Sequence, residues 1–353
     1  MGINYSGMTK RIDRFLVIAT LVALFALTGN AQDDVLARVN YQGKYGFINR
    51  EGHFAIQPQY DFALSFSDGL AAVVSAGKFG FVTPKGELVI GFQFEDALWF
   101  DEGMAAVKDN GKYGFIDKIG RLVIEYRFDD AFDFSEGLAD VKIGDKCGYI
   151  DKTGNVVIPI AYETCYRFIG GTAVVQDSDL HSHLLNTRGE IVQRDTKVNP
   201  LSRNQPEYQS FWDDAKGAAG FKKRDGTIIL EPMFEAVGVF QGGRSIVKAK
   251  KGKWGVIDKS GKFVLPPTYD DMVHFYEGLA AVKKDGKYGF IDGNGRLVIP
   301  PKFDLAGSFS YGLAAVMVDG KIGYINKKGN FAIQPIFDET RGGRWSNFDI
   351  ANR

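Results

Sequence analysis

The histidines are the first residues of this chain to consider for chemistry, and there are four: His53, His181, His183 and His274. Only His181 and His183 are close in sequence. On a strand their side chains would point to the same face, which suits a metal ion. Asp177 or Asp179 could add a carboxylate, but the sequence names no full ligand set and completes no catalytic triad. His181 and His183 are therefore a candidate metal pair, with a structural role as the alternative, and we predict no cofactor.

Carboxyl groups are numerous, but their spacing argues for a structural role. One acid recurs about once per 34 residues, at Asp61, Glu95, Asp129, Glu163, Glu235, Asp270, Asp304 and Asp338. A glycosidase needs two carboxyls with different pKa values in one cleft, and a repeated position does not provide that difference. Lysines recur in the same way, for example Lys44 and Lys287. We expect these lysines to pair with the acids or to cover apolar surface with their methylene chains.

Aromatic side chains offer the better argument for binding, since Phe, Trp and Tyr make up 13% of the chain. Aromatic surfaces bind sugar rings and quaternary amines. Most of the Phe residues follow a regular pattern and are expected in the core. The aromatic residues outside that pattern are the predicted binding residues, and they are Trp99, Tyr208, Phe211, Trp212 and Trp345.

The two cysteines, Cys147 and Cys165, form an even pair, which in an oxidising compartment is a candidate disulfide. The repeated pattern offers an alternative. Cys147 takes the place of an aromatic residue such as Tyr113, and Cys165 takes the place of a small residue such as Ala131. Both could therefore be packed as small apolar side chains.

All these candidates are set in a tandem repeat. The sequence Gly-Lys-aromatic-Gly begins at Gly43, Gly77 and Gly111, and again at Gly252, Gly286 and Gly320, in steps of 34 residues. Within one unit, residues 279–283 and 287–292 are predicted strands joined by a turn at Asp285-Gly286. Residues 296–299 form a third strand, which Pro300-Pro301 should end. Each unit is therefore predicted to be an antiparallel β-meander.

About nine units fit between residues 35 and 348, which predicts an all-β tandem array. A single unit is too small to be stable alone, so neighbours must share a core, with the Phe of each Phe-x-x-Gly inserted between them. Both an open β-solenoid and a closed β-propeller satisfy this requirement. The first unit lacks an element that the end of the chain supplies, which favours a ring. Nine blades are more than usual and 34 residues are few for four strands, so we predict the open solenoid.

Residues 1–31 lie outside the repeat and have the features of a signal peptide. Lys10, Arg11 and Arg14 precede an apolar run of about 13 residues, and small residues before Ala31 suit cleavage. This run is shorter than the roughly 20 residues of a membrane span, so we predict no span after signal removal. We predict an exported protein that is periplasmic, extracellular or at the cell surface.

The remaining chain divides into three parts. Residues 32–192 and 217–353 are predicted to be two sub-arrays of repeats. Between them, residues 193–216 are polar and contain Pro200 and Pro206, which predicts an irregular linker or a degenerate repeat. Removing the signal changes the formal net charge from +0 to about −2. Because there is no basic cluster, we predict no nucleic-acid partner.

The repeat resembles that of a known bacterial family, the WG-repeat or KWG-repeat proteins. The resemblance rests on Lys253-Trp254-Gly255-Val256-Ile257-Asp258, which contains Lys-Trp-Gly itself, and on recurrent Ile-Pro-Pro and Phe-x-x-Gly-Leu-Ala sequences. It covers nearly all of the chain after the signal, and it implies a repeat fold but little chemistry. The hairpins also have a distant similarity to cell-wall-binding repeats of the choline type, which hold ligands in aromatic cages. Here Cys147 and Ile322 occupy the aromatic position.

Two functional hypotheses follow. The preferred one is an exported, non-enzymatic binding or scaffold module for a cell-envelope polysaccharide or a protein partner. The alternative is a hydrolase that uses acidic residues near the irregular fifth and sixth units, where Asp177 and Asp213 are the residues to test.

Overall fold

The structure is a computed structural model that describes residues 35–179, 181–193, 208–223, 226–240, 243–250, 252–339 and 349–350. The predicted signal peptide at residues 1–31 and the predicted binding residue Trp345 lie outside these ranges. Within them, no helix is long and apolar enough to span a membrane. The described residues from Val35 onward form one compact unit.

Short antiparallel strands joined by turns make up the described residues. The first of these, in chain order, are β1 Val35–Tyr41, β2 Lys44–Ile48, β3 Phe54–Tyr60, β4 Phe62–Ala63, β5 Ala71–Ser75, β6 Lys78–Val82, β7 Leu88–Phe94, β8 Asp96–Ala97, β9 Met104–Asp109, β10 Lys112–Asp117, β11 Leu122–Phe128, β12 Asp130–Ala131, β13 Leu138–Ile143, β14 Lys146–Asp151, β15 Val156–Tyr162, β16 Thr164–Cys165, β17 Thr172–Gln176 and β18 Ser182–Asn186. The chain continues with β19 Ile191–Gln193, β20 Tyr208–Asp213, β21 Ala218–Lys223, β22 Ile228–Phe234, β23 Ala236–Val237, β24 Arg244–Lys248, β25 Trp254–Asp258, β26 Phe263–Tyr269, β27 Asp271–Met272, β28 Leu279–Lys284, β29 Lys287–Asp292, β30 Leu297–Phe303, β31 Leu305–Ser310, β32 Leu313–Val318, β33 Lys321–Asn326, β34 Phe331–Phe337 and β35 Asp349–Ile350.

The described strands form nine antiparallel sheets, called here blades 1 to 9. Blade 1 has the strand order β35-β1-β2-β3. Blades 2 to 5 use β4 to β19 in consecutive groups of four, and blades 7 to 9 use β23 to β34 in the same way. Blade 6 has three described strands, β20 to β22, of which β20 lies in the segment predicted as a linker. The prediction of an all-β array of about nine repeats is confirmed.

The ring closes by pairing the two ends of the array. Strand β35 pairs with β1, with Val35 opposite Ile350 and Leu36 opposite Asp349. The prediction of an open solenoid is therefore wrong, and the structure is the alternative, a closed nine-bladed β-propeller. The physical reason is the incomplete first sheet. Blade 1 can obtain its fourth strand only from the end of the chain, and pairing with that strand leaves no unpaired edge there.

The seam between blades 9 and 1 uses the same contacts as the other junctions. Between blades 1 and 2, Asp61 accepts hydrogen bonds from Lys44 Nζ and from a backbone N–H of the next hairpin. At the seam, Asp338 accepts hydrogen bonds from Lys321 Nζ and from the N–H of Gln42. The seam is therefore built from the repeat itself.

Four strands fit into 34 residues because the first strand of most blades is very short. It has two residues in blades 2 and 3, Phe62–Ala63 and Asp96–Ala97. The last strand has seven residues in the same blades, Leu88–Phe94 and Leu122–Phe128, and its first two residues are exposed. The short repeat length is therefore no argument against a propeller.

The prolines do not end the third predicted strand, contrary to expectation. Strand β30 runs through Pro300 and Pro301 to Phe303. Because β30 is the edge strand of its blade, the missing N–H of proline leaves no neighbouring strand without a donor. The sheet register shifts along this strand, between the pairs Phe290–Ile299 and Tyr288–Phe303.

The glycine of the Lys-aromatic-Gly sequence is required at this shift in register. A Cβ at Gly289 would lie 2.4 Å from Ile299 O and 2.7 Å from Pro301 N. A Cβ at Gly114 would lie 2.6 Å from Ile124 O. These distances are far inside van der Waals contact, and the obstructing atoms belong to the backbone, which cannot turn away. Only glycine lets the last strand lie this close to the third.

The hydrophobic core lies between neighbouring blades. In most blades the Phe of the Phe-x-x-Gly sequence packs against an aromatic ring of the preceding blade. The ring centroids are 5.0 Å apart for Phe115 and Phe134, and 4.9 Å apart for Phe290 and Phe309. All four rings are buried. The prediction that this Phe is inserted between units is confirmed.

Candidate functional site

One position of the repeat carries a different side chain in almost every blade. It is the residue before the Phe of each Phe-x-x-Gly sequence, which lies in the loop between the first and second strands in most blades and within β31 in blade 9. Among the described residues it is Ser65, Trp99, Asp133, Arg167, Val239, His274 and Ser308. The neighbouring Phe packs into the core between blades. The backbone position is therefore the same in each blade, and only the side chain before the Phe differs. Side chains presented by loops on a rigid frame are suited to recognition.

Arg167 of blade 5 reaches past blade 4 to contact blade 3. Its Nη2 lies 3.3 Å from Asp101 Oδ2. In a ring, blades that are two apart approach one another only near the axis, so this contact lies on the inner side of the propeller. Asp133 of blade 4 interacts electrostatically with both residues, and Asp140 on β13 interacts with Asp133 and Arg167. Asp101, Asp133, Asp140 and Arg167 are called the Asp133 cluster.

The Asp133 cluster contains buried polar atoms without partners. Among the described residues, Asp133 Oδ1 and Arg167 Nε are buried and make no hydrogen bond. Asp140 is 6% exposed, and its carboxyl group interacts with its own backbone N–H. Buried polar groups are normally paired, because leaving one unpaired costs about 1–3 kcal/mol. A polar group brought by a ligand would satisfy these atoms.

Burial raises the pKa of two acids in the cluster. Desolvation raises the pKa of Asp133 from 3.8 to about 6, helped by the charge of Asp101 and opposed by Arg167. Desolvation likewise raises the pKa of Asp140 from 3.8 to about 7, with Asp133 and Asp130 adding to the shift. Both carboxyls therefore change protonation near neutral pH. In this range the cluster can donate hydrogen bonds as well as accept them.

A disulfide joins the two blades that contribute Asp133 and Arg167. Cys147 on β14 of blade 4 is bonded to Cys165 on β16 of blade 5, 18 residues later. Corresponding positions at other junctions hold an aromatic and a small residue, as in Tyr113 and its partner in the next unit. The covalent link fixes blade 4 against blade 5 two residues before Arg167.

The two exposed tryptophans among the predicted binding residues lie in different blades. Trp99 is 41% exposed and occupies the variable position of blade 3, next to the blade that carries Asp133. Trp212 is 54% exposed and lies on β20 of blade 6. Trp99 lies two residues before Asp101 of the Asp133 cluster, whereas Trp212 belongs to a blade that contributes no residue to it.

The remaining predicted aromatic residues do not extend the Asp133 cluster. Phe211 is half-buried on β20, opposite Gly220 of β21, and Lys222 Nζ lies 5.6 Å from its ring centroid. Tyr208 begins the same strand. Of the described residues in the predicted set, Trp99 lies in blade 3, and Tyr208, Phe211 and Trp212 lie in blade 6.

The candidate metal pair lies at a turn of blade 5. His183 is 7% exposed and its Nε2 is 2.8 Å from Asp177 Oδ2, whereas His181 is exposed and its Nδ1 is 3.9 Å from the same oxygen. Asp177, Asp179 and His181 each bring one ligand atom within 4.8 Å of the others. Asp177 Oδ1 also accepts the N–H of Asp179 and His181, as turn acceptors do. These hydrogen bonds give Asp177 a structural role, and the metal pair stays a prediction.

The acids that recur once per unit are structural. Asp129 pairs with Lys112 and also accepts the N–H of Gly144, so it ties neighbouring blades together. The pKa of Asp129 is lowered by its hydrogen bond from Lys112. The same lysine–acid contact recurs in blade after blade and reaches Asp338 at the seam. The prediction that the repeated lysines and acids pair is confirmed.

The comparison with protein families decides the classification of the chain. The family described as "WG containing repeat" matches residues 45–79, 79–113, 113–147, 148–180, 220–254, 254–288, 288–321 and 322–347. The chain belongs to the WG-repeat family. In this WG-repeat protein, Gly114 and Gly289 occupy the position of the glycine in the Trp-Gly sequence that names the repeat. A Cβ at either position would collide with the backbone of the last strand, which explains why glycine stands there.

Comparisons with other proteins support the fold of this WG-repeat protein and nothing more specific. Among proteins of curated function, no sequence matches it. A crystal structure of the eukaryotic initiation factor has a TM-score of 0.56 at 9% identity, covering 88% of this chain and 98% of that one. The crystal structure of BamB from Moraxella catarrhalis has a TM-score of 0.37 at 15% identity, covering 76% of this chain and 86% of that one. At 9% identity, the similarity to the initiation factor concerns the fold alone. The TM-score with BamB is too low to support any argument.

The sequence analysis missed the Asp133 cluster because it considered only the acid that recurs in every unit. A signal was present. Asp140 occupies a position that holds Ala72, Ala106 and Ala281 in other units, and a carboxyl group in a slot for alanine is unexpected. Comparing each WG repeat with the others, position by position, would have identified Asp140.

Proposed function

We propose that this WG-repeat protein is an exported, non-enzymatic binding module that holds a cell-envelope polysaccharide at the Asp133 cluster and Trp99. The observation that carries the proposal is the presence of buried polar atoms without partners, Asp133 Oδ1 and Arg167 Nε. Sugar hydroxyl groups donate and accept hydrogen bonds, so one sugar can satisfy an acid and a guanidinium group together.

The position of Trp99 supports a sugar as ligand. Trp99 is 41% exposed and occupies in blade 3 the loop position that Asp133 occupies in blade 4. An indole ring can cover the apolar face of a sugar while neighbouring polar groups bind the hydroxyls. Polar residues beside an aromatic platform on a rigid frame suit a binding module, because little conformational freedom is lost on binding.

Export is part of the proposal. Residues 1–31 have the charge and hydropathy of a signal peptide, and the Cys147–Cys165 disulfide suits an oxidising compartment. A protein in that compartment meets envelope polysaccharides at high local concentration.

The test is co-sedimentation of the mature protein, from Gln32 onward, with purified peptidoglycan and with outer-envelope polysaccharide. We expect saturable binding to at least one of them. Trp99→Ala should abolish this binding, and Trp212→Ala, which removes an exposed tryptophan from another blade, should leave it unchanged. Absence of binding to either polymer, or equal loss in both variants, would contradict a glycan site at the Asp133 cluster and would favour a protein partner.

A second candidate is a hydrolase that acts at the same cluster. The raised pKa of Asp133, about 6, keeps a proton on part of the carboxyl population at neutral pH, as a general acid requires. This differs from the hydrolase predicted from sequence, whose acids lie near Asp177 and Asp213. Chromatography of oligosaccharides after incubation separates the possibilities. Cleavage that is lost in Asp133→Asn but kept in Asp177→Ala and Asp213→Ala would establish this enzyme, and no cleavage would leave binding alone.

A further inference from the structure

The last strand of most blades exposes an apolar side chain where the strand begins. In blades 2 to 8 the first residue of this strand is an exposed aliphatic or aromatic residue, namely Leu88, Leu122, Val156, Ile191, Ile228, Phe263 or Leu297. Each one follows the turn between the last two strands of its blade, which is called here the outer hairpin. The last strands are the outer edges of the blades, so these side chains lie along one rim of the ring. Exposed apolar residues that share a rim, unlike single scattered ones, mark an interaction surface.

The outer hairpins lie on the same face of the propeller as the loops between the first and second strands. Lys327 Nζ, in the outer hairpin of blade 9, lies 3.1 Å from Glu277 Oε2, in the first loop of blade 8. Arg244, at the start of β24 in blade 7, donates from Nη2 to Asn294 Oδ1 in the outer hairpin of blade 8, at 3.0 Å. Charges on both sets of turns therefore contribute to one surface.

The charge of this face differs between opposite sides of the ring. In blades 2 to 4 the loops between the first and second strands carry several acids, which are Asp68, Asp101, Glu102, Asp133 and Glu136. In blades 7 to 9 the corresponding loops carry a single acid, Glu277, and it is paired with Lys327. The side formed by blades 7 to 9 therefore lacks the negative charge of the opposite side.

Basic side chains on the side of blades 7 to 9 are exposed and have no acidic partner. Lys262, Arg296 and Lys328 lie in the outer hairpins of blades 7, 8 and 9. Among the described residues, no carboxyl oxygen lies within ion-pair distance of these three side chains. The ion pairs of these blades use other lysines, namely Lys248, Lys253, Lys287, Lys321 and Lys327.

Positive charge and apolar surface coincide on this part of the rim. Lys262 directly precedes the exposed Phe263, and Arg296 directly precedes the exposed Leu297. The basic rim is defined here as Ile228, Lys262, Phe263, Arg296, Leu297 and Lys328. Side chains of these two kinds, side by side, are typical of proteins that bind at the surface of a membrane.

We propose that the basic rim docks on an anionic lipid bilayer. Apolar side chains at such a surface enter the boundary between headgroups and acyl chains to a depth of about 5–10 Å, and lysine and arginine are attracted to the anionic headgroups. The first two residues of a strand extend roughly 7 Å from the hairpin, which matches this depth. The inference goes beyond the proposed glycan site. Blades 7 to 9 lie across the ring from blades 3 to 5, so a propeller tilted onto the basic rim leaves the Asp133 cluster accessible.

A protein partner fits this surface less well than a bilayer does. The outer edge of a ring is convex, and a protein partner would need a matching concave surface. Lysine is also depleted in protein–protein interfaces. A fluid bilayer adapts to a convex edge and offers a negative headgroup to each basic side chain.

The test is flotation of the mature protein, from Gln32 onward, with two kinds of vesicle. One kind is phosphatidylcholine alone, and the other is an equal mixture of phosphatidylcholine and phosphatidylglycerol. We expect the protein to bind the mixed vesicles about tenfold more tightly or better. Combining Phe263→Ser with Leu297→Ser should weaken binding to mixed vesicles by about tenfold or more, and combining Lys262→Gln with Arg296→Gln should have a similar effect.

Matched controls carry the same kinds of side chain at the other end of the blades. Met233 and Ile336 are exposed near the end of β22 and of β34, and Lys284 is exposed at the end of β28. Met233→Ser combined with Ile336→Ser, and Lys284→Gln alone, should bind as the wild type does. The inference would be overturned by the absence of binding to mixed vesicles, by equal binding to both kinds of vesicle, by full binding of either rim variant, or by equal losses in rim and control variants.

Discussion

Replacing Asp140 with alanine should stabilise this protein, and the gain should depend on pH. Asp140 is 6% exposed on β13, at a position where other blades have Ala72, Ala106, Ala281 and Ala315. Alanine therefore fits the frame of the repeat at this point. The substitution removes a carboxyl whose charged form is destabilised by burial and by neighbouring acids.

The size of the effect follows from the pKa of Asp140, which is raised from 3.8 in the unfolded chain to about 7 in the native protein. Between these values the native state holds a proton that the unfolded state has lost, so the free energy of unfolding falls as pH rises. Each pH unit is worth about 1.4 kcal/mol, which gives a loss of about 4 kcal/mol over the full window and about 3 kcal/mol between pH 5 and pH 8. Below pH 3.8 and above pH 7 this contribution is constant.

The assay is urea denaturation of the wild type and Asp140→Ala at about pH 5 and about pH 8. The stability difference between the two proteins should move in favour of Asp140→Ala by about 3 kcal/mol between these pH values. Changes in packing do not depend on pH and cancel in this comparison. Asp145→Ala, in the exposed turn after β13, controls for the loss of a surface carboxyl. A difference that stays the same at both pH values would refute the reasoning.

Three other predictions concern the frame. Phe115→Ala empties a buried ring position between blades 3 and 4 and should lower the free energy of unfolding by about 3–5 kcal/mol, measured by urea denaturation. Gly114→Ala should cost about 1–3 kcal/mol or more, because its Cβ would lie 2.6 Å from Ile124 O, whereas Gly91→Ala meets no atom within 4 Å and should be nearly neutral in the same assay. Reduction of the Cys147–Cys165 disulfide should cost about 3 kcal/mol for a loop of 18 residues, and equal denaturation midpoints with and without reductant would contradict this.

The local structure of the repeat could be predicted because turn chemistry and residue alternation are short-range signals. The predicted strand at residues 287–292 is β29, and the predicted turn has Asp285 at φ 51° and Gly286 at φ 81°. The two-residue first strands were missed, because a strand such as Phe62–Ala63 is too short to show alternation. Its existence depends on pairing with the next strand rather than on its own sequence.

Ring closure and the candidate site could not be predicted from the sequence, for a different reason. Whether an array closes depends on the angle between successive blades, a small quantity that adds up over nine junctions and has no signature in any one unit. The contact between Asp101 and Arg167 likewise requires blades 3 and 5 to converge, which happens in a ring and not in an extended array. An incorrect open architecture would therefore hide the Asp133 cluster.

The pairing of β35 with β1 also has a consequence for how the protein folds. It joins residues more than 300 positions apart, Val35 and Ile350, so blade 1 stays incomplete until almost the whole chain has been synthesised. Closing so long a loop is slow, and during that delay the unpaired edge of β1 can join strands of other molecules. During synthesis from the N-terminus, the edge of β1 is therefore exposed to intermolecular pairing until β35 has been made and pairs with it.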